Sequence, residues 1–217
     1  MGHKVHPFSF RLGVISDWKS RWCNSKNYKK YLKQDVELRR FLEKKLAKAA
    51  VEDIIIERSA NLITVNIFSG RPGVIIGRGG TGADELKEKI KDRINRGSND
   101  DNLEVKVNIR EVRYPEANAK LVGQSIAEQI EKRTPFRRTL KKAIERVMQN
   151  KEVKGVKVSI AGRLDGAEMS RREWLSEGKI PLQTLRSNVD FSQVNAHTTY
   201  GVIGIKVWVY KGEVFEN

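Results

Sequence analysis

Cysteine is nearly missing. Cys23 is the single one in 217 residues, so an internal disulfide and a cysteine zinc cluster are both excluded. Histidine is scarce too: His3 and His6 stand three apart near the start and His197 near the end, and no cluster of acids or cysteines accompanies them to complete a metal site. Long apolar runs are also lacking. Met1 to Pro7 offers no apolar stretch for a signal peptide. Its Met-Gly start is not followed by the Ser or Thr that myristoylation requires, because His6 holds that place. No segment approaches the roughly 18 apolar residues of a membrane helix. We therefore expect a protein of a reducing compartment, most simply the cytoplasm, with no metal, no cofactor, no small-molecule substrate and no membrane partner.

Acidic residues are in deficit. Lys and Arg total 42 against 27 Asp and Glu, a net charge of +15. A surplus of that size points to a polyanionic partner, since each phosphate neutralised releases condensed counterions. Residues 1–50 alone hold 13 basic residues and four acids. The remaining 39% of apolar residues suffices for packed cores, and the length suits one large domain or two of roughly 100 residues each.

Residues 1–16 are basic, carry Pro7 and Gly13 and lack a period, which predicts an irregular arm. Helical spacing of Tyr28, Tyr31, Leu32, Leu38, Leu42 and Leu46 predicts a helix within Asn27–Ala50, docked by an apolar face and displaying Lys29, Lys33, Arg39 and Arg40. Val51–Arg58 and Leu62–Phe68 read as strands joined by a turn at Ser59-Ala60-Asn61. A glycine-rich stretch follows, then a helix over Ala83–Arg96, a polar link over Gly97–Asn102 and a strand over Leu103–Ile109. The pattern resets at Tyr114-Pro115, a domain boundary. Beyond it come a helix over Ala117–Lys132 and a second helix for which Thr134 offers an N-cap and Pro135 a first-turn proline. Strand-like runs occur at Val156–Ile160, near Met169–Leu175, near Ser187–Phe191 and at Gly201–Tyr210. Two helices followed by strands imply a second α+β domain.

The glycines admit two readings. Gly77, Gly79 and Gly82 spell the dinucleotide-binding pattern G-x-G-x-x-G, but that pattern should follow a buried strand and open the helix of a βαβ unit. Only Val74, Ile75 and Ile76 precede it here, straight after Pro72-Gly73. The other reading takes Gly77-Arg78-Gly79-Gly80 as a G-x-x-G turn between two helices, with Pro72 opening the first. Glycines let the backbone turn tightly and approach a sugar-phosphate chain, helix N-terminal amides attract phosphate, and Arg78 adds a charge. KH domains clamp about four nucleotides of single strand in this way.

On these residues the chain resembles a known family. The order helix-strand-strand-helix-GxxG-helix-strand around Pro72–Gly80 is similar to a type II KH domain (α-β-β-α-α-β on a three-stranded sheet). Gly2–Pro7 with Arg11-Leu12-Gly13, then Gly162-Arg163-Leu164 with Gly166-Ala167-Glu168 and Arg171–Trp174, then His197–Gly204 with Lys206-Val207-Trp208 resemble the bacterial-type small-subunit ribosomal protein three family over nearly the whole chain. The implied α+β architecture is an arm (1–16), N-terminal helices with the KH domain (17–112), and a C-terminal domain (113–217) of two helices packed on a mostly antiparallel sheet.

Between Arg133 and Arg146 stand six basic residues and one acid, Glu145. Arg138, Lys141 and Lys142 share a helical face and Arg137 stacks one turn above Lys141, while Phe136, Leu140 and Ile144 take the buried side. Such a face tracks phosphates without reading bases. The resemblance implies that it lines the mRNA entry channel and helps open structured mRNA, with small-subunit rRNA of the head and neighbouring head and entry proteins as further partners. Phosphate contacts to rRNA alone would account for the same face. Asp165, Glu168 and Glu173 sit among Arg163, Arg171 and Arg172, which suggests charge compensation on an RNA-facing loop rather than acid–base work. With Lys4 and Arg11 of the arm, those three arginines are candidates for rRNA contact. Trp174, Trp208 and Tyr210 at strand spacing are expected in a core. The alternatives are a freestanding KH protein of RNA assembly or turnover and, behind it, a dinucleotide-dependent enzyme.

Overall fold

The computed structural model describes residues 4–59, 61–95 and 104–215. Met1–His3, Ala60 of the expected turn, Arg96, the link Gly97–Asn102 and Leu103 lie outside the described residues. Pro7 opens a single helical turn, α1 (Pro7–Phe10), where its fixed φ suits the first position. A two-residue strand β1 (Ser20–Arg21) precedes the long helix α2 (Tyr28–Lys45). Strands β2 (Val51–Arg58) and β3 (Leu62–Ser69) follow, then α3 (Pro72–Ile76), α4 (Thr81–Asn95) and β4 (Glu104–Glu111). The rest of the chain holds α5 (Ala119–Glu131), α6 (Phe136–Met148), β5 (Gly155–Gly162), β6 (Arg171–Gly178), β7 (Ser187–Thr198) and β8 (Gly201–Glu213). Among the described residues no helix is long and apolar enough to cross a membrane.

The chain divides into two units, Trp18–Arg113 and a second made of Tyr114–Asn217 together with the segment up to Asp17. In the first unit β2 and β3 pair antiparallel with Ile56 opposite Val65, and β4 runs parallel to β3 with Val107 opposite Val65. A parallel neighbour needs a crossover, and α3 with α4 supplies it. The alternation of Ile63, Val65 and Ile67 with Leu62, Thr64 and Asn66 turns one sheet face toward α2 and α4. Leu38, Leu42, Leu86 and Ile90 bury against it. The expected α-β-β-α-α-β order is therefore present, with one correction. The sheet has four strands, because β1 pairs parallel to β2 at Ser20↔Ile56 and Arg21↔Glu57. Two residues are too few to show a period, and β1 is held by Arg39, whose Nη2 donates to Lys19 O at 3.2 Å and Ser20 Oγ at 2.9 Å.

In the second unit the strands run β6-β5-β8-β7, all antiparallel. Ile126, Ile130, Phe136, Leu140 and Val147 of α5 and α6 pack on Val156, Val158, Ile205 and Val207. Asn118 caps α5, its Oδ1 accepting from Lys120 N (2.9 Å) and Leu121 N (3.1 Å). Gly123 lets α5 approach β7 closely, since a Cβ there would stand 2.8 Å from Val194 Cγ2. Thr134 is not the cap of α6. Pro135 holds that position without a side-chain hydrogen bond, because Arg133 turns the chain at φ 59° just before it. Strand β7 extends seven residues past the expected Phe191. Its outer part, Ser192–Thr198, turns Val194 and Ala196 to the core between polar Gln193, Asn195 and His197, and pairing with β8 holds it.

Candidate nucleic-acid interface

At the end of β3 the Ser69 hydroxyl donates to Ala49 O (2.6 Å) and accepts from Arg71 N (3.0 Å), fixing the exit of the chain toward Pro72. What precedes Gly77 is the short helix α3, with Ile75 buried and Val74 and Ile76 exposed. That excludes the strand a dinucleotide fold needs at this point. Gly77 (φ +70°), Gly79 (φ +63°) and Gly80 (φ +85°) all adopt conformations that L side chains resist. Around Gly79 and Gly80 nothing lies within 4 Å of where a Cβ would be, so the backbone is open to a large ligand. Gly82 has a different duty: a Cβ there would stand 2.6 Å from Ile75 O, so only glycine lets α4 start this close to α3. Arg78 is exposed at the tip, and Thr81 Oγ1 donates to Arg78 O at 3.0 Å to close the turn. An open backbone, one cation and two exposed apolar side chains, Val74 and Ile76, suit an unpaired nucleic-acid strand.

In the second unit, α6 buries Phe136, Thr139, Leu140, Ile144 and Val147 and exposes Arg137, Arg138, Lys141, Lys142, Glu145 and Arg146. Five cations and one acid thus share the outward face. Arg171 of β6 joins them. Arg137 Nη2 and Arg171 Nε lie 3.5 and 3.2 Å from the same oxygen, Glu173 Oε1. Both guanidinium carbons stand 5.6 Å from the Phe136 ring centroid. Charge compensation is what Glu173 does here.

The other rRNA candidates separate. Arg172, one residue on from Arg171, points to the opposite sheet face and donates from Nε to Ser159 Oγ at 3.1 Å. Lys4 is exposed and near enough to Lys157 to act on it. Arg163 donates from Nε to Ala167 O (2.9 Å) and lies 5.7 Å over the Tyr200 ring. It borders a cleft of about 480 Å³ where the loop after β5 meets the β7–β8 turn and the α5–α6 corner.

Arg11 is a correction. It is 1% exposed, with Nη1 donating to Pro7 O (3.1 Å) and Nη2 to Leu182 O and Thr184 O (3.0 Å each). Its charge is committed to carbonyls inside the unit and is withheld from phosphate. The segment read as an irregular arm is accordingly docked, with His6 edge-on to Phe191 at 4.7 Å. Trp208 and Tyr210 are buried as expected, in a small cluster with Val189, whereas Trp174 is 56% exposed. Trp174 belongs to β6, an edge strand exposed along nearly all its length. Lys157 and Lys206 were missed: isolated lysines in strands form no run, and only their alternation with valines marks them as sharing a face. Cys23 is exposed, and among the described residues no group of His, Cys, Asp and Glu could hold a metal.

A KH domain model matches residues 37–117, and the ribosomal protein S3 C-terminal domain matches residues 126–209. The small ribosomal subunit protein uS3 of Alkalilimnicola ehrlichii is 47% identical over 218 residues, covering 100% of this chain and 93% of that protein. The uS3 of Magnetococcus marinus is 46% identical, covering 100% and 99%. The chain belongs to the uS3 family. The uS3 of Buchnera aphidicola from Schizaphis graminum, 48% identical over 99% of the chain and 89% of that protein, agrees. Likeness of this extent spans both units, and the two family-model matches fall on the two surfaces built above: the KH model covers the GxxG turn and the S3 C-terminal model covers α6, the cleft and the outer sheet face.

Proposed function

We propose that this uS3-family chain is a structural constituent of the small ribosomal subunit that binds rRNA of the head and lines the mRNA entry, where it holds and helps open incoming mRNA. No bond is made or broken by it. The observation that carries the reading is α6, which sets five cations and a single acid over a fully buried apolar side. Such a face grips phosphates at any sequence, which a moving message requires. Arg137 and Arg138 supply planar forks, and Lys141 and Lys142 supply point charges. The GxxG turn (Gly77, Arg78, Gly79, Gly80) supports an rRNA contact by the KH mode, and Lys4, Arg163, Arg171 and Arg172 support further phosphate contacts.

Two measurements test this. The native protein should sediment with small subunits at close to one copy each through moderately high salt; recovery mainly as free protein or on an immature minority would favour the assembly-factor reading. Ribosomes carrying Arg137→Gln, Arg138→Gln and Lys141→Gln together should stall at a stable mRNA hairpin that parent ribosomes pass. Unchanged passage would remove the role in opening mRNA and leave rRNA anchoring.

A further inference from the structure

Strand alternation gives the C-terminal sheet a second face, opposite α5 and α6. Its half toward β8's C-terminal end is covered, by Val189, Phe191, Trp208 and Tyr210 packed with Ile180 and Leu182. Among the described residues the other half is bare. There β6 contributes Arg172 and Trp174, β5 Lys157, Ser159 and Ala161, β8 Gly204 and Lys206, and β7 Gln193 and Asn195.

Three properties of this half point to one kind of ligand. The first is charge: within this half no Asp or Glu occupies an outward position on the four strands. Lys157, Arg172 and Lys206 therefore share the surface without a carboxylate, and Lys4 stands close by. Lys157 records the crowding, its ammonium pKa pushed down by burial and then by repulsion from Lys4 and Arg172. A cluster of like charges lacking an internal counterion is relieved by an anion.

The second is the indole of Trp174. It is more than half exposed, and Lys157 Nζ lies 4.6 Å from its centroid and 5.8 Å from that of Trp208. The ammonium between two indoles holds Trp174 by a cation–π contact while leaving ring surface open. The third is relief: Ala161 and Gly204 put no bulk beside the ring, so a flat molecule can lie on the sheet. Aromatic and cationic side chains on a four-stranded sheet are a stacking platform for single-stranded RNA, because every base has a π-face and every linkage a phosphate. A duplex would hide its bases from the ring, and a protein partner would find four cations and little apolar surface.

We propose that the open half of this sheet is a second RNA-binding surface, which stacks an unpaired base on Trp174 and holds the adjoining phosphates with Lys4, Lys157, Arg172 and Lys206. It rests on the RNA-binding reading above and adds to it a site for unpaired nucleotides on the side of the sheet away from α6.

The test uses the full chain and two fluorescent RNAs, an oligouridylate of about twelve nucleotides, long enough for a stacking site, and a blunt duplex. Trp174→Ala should weaken oligouridylate binding by at least about fivefold, and Trp174→Phe should restore most of it. Arg172→Gln with Lys206→Gln should lower the salt slope for oligouridylate by roughly one to two. The Arg137, Arg138 and Lys141 triple variant should weaken duplex binding while the Trp174-dependent loss on oligouridylate persists. Oligouridylate affinity unchanged in Trp174→Ala would overturn the proposal, as would a parent chain that ignores oligouridylate but binds duplex. Either outcome leaves the reading of α6 standing and gives the face to a protein partner. A parent chain that binds neither RNA would overturn both.

Discussion

Asp35 and Arg58 form a buried ion pair in which the guanidinium closes on one carboxylate oxygen, with Nη2 2.6 Å and Nε 2.8 Å from Asp35 Oδ1. The other oxygen accepts from Trp22 Nε1 at 2.7 Å, and Arg58 Nη1 donates to Gln34 Oε1 at 3.0 Å. The guanidinium also lies 4.9 Å over the Tyr31 ring. Through this pair α2, β2 and the segment before α2 are joined by charged hydrogen bonds, beside the KH core rather than within it.

Removing one member of such a pair strands the other charge away from water. Asp35→Ala should cost about 3–5 kcal/mol of unfolding free energy in urea titrations. Replacing both residues together, Asp35→Leu with Arg58→Met, should cost less than Asp35→Ala alone. A double variant as unstable as the single one would show that packing, and not the uncompensated charge, dominates.

Arg11 anchors the N-terminal segment by a fork that reaches several carbonyls at once. Arg11→Ala should cost about 1–3 kcal/mol and expose residues 4–17 to limited proteolysis. Arg11→Lys should behave much like alanine, since a single ammonium cannot reproduce the planar fork. Cleavage kinetics of the three proteins, with mass-spectrometric mapping of the first cut, would decide this.

Glu173 holds Arg137 and Arg171 in the position where a phosphate would be gripped. Exposed ion pairs are weak, roughly 0.2–1 kcal/mol each, so a phosphate can displace this one at modest cost. Glu173→Gln should therefore tighten duplex RNA binding by about two- to fivefold at low salt, with the gain fading as salt rises. Weaker binding in this variant would mean that the carboxylate orients the arginines rather than competing for them.

Glycines 73 and 82 lie in the same turn region with opposite demands. Gly73 has open space around it and no positive φ, so Gly73→Ala should be neutral or stabilise by about 0.4–1 kcal/mol. At Gly82 a Cβ would meet Ile75 O at 2.6 Å, so Gly82→Ala must push α4 away from α3. A loss of about 1–3 kcal/mol in denaturation, together with weaker single-stranded RNA binding, is expected. Equal stability of the two variants would contradict this packing.

Much of the fold could be read from the chain because its signals are local and repeated. Ile63, Val65 and Ile67 alternate, Leu86, Ile90 and Ile94 recur every four residues, and Pro72 and Gly77 bracket α3 too tightly for a strand. The basic face of α6 was legible for the same reason. What stayed hidden depends on partners distant in sequence. Arg11 reads as one more cation of a basic arm until the carbonyls of residues 181–184 close on it. Trp174 reads as core until β6 proves to be an edge strand. Lys157 and Lys206 are 49 positions apart in number and gain meaning only when β5 and β8 pair. The outer end of β7 carries only Val194 and Ala196 as alternating apolar positions, a signal too short to stand out from the polar residues around it.

Adjacent arginines on β6 serve opposite sides of one sheet, Arg171 beside α6 and Arg172 beside Trp174. Because side chains alternate with a period of two, sliding β6 by one residue along β5 would carry Trp174 under α6 and bring Glu173 out among the lysines. An acid would then sit in the surface that has none, and α6 would lose its counterion. Such slippage is opposed at the far end of the strand, where a side chain at Gly178 would collide with Lys154 O. At the near end it falls to the length of the connection between β5 and β6. Residues 163–170 thus act as a spacer whose count, as much as its composition, keeps the two faces distinct.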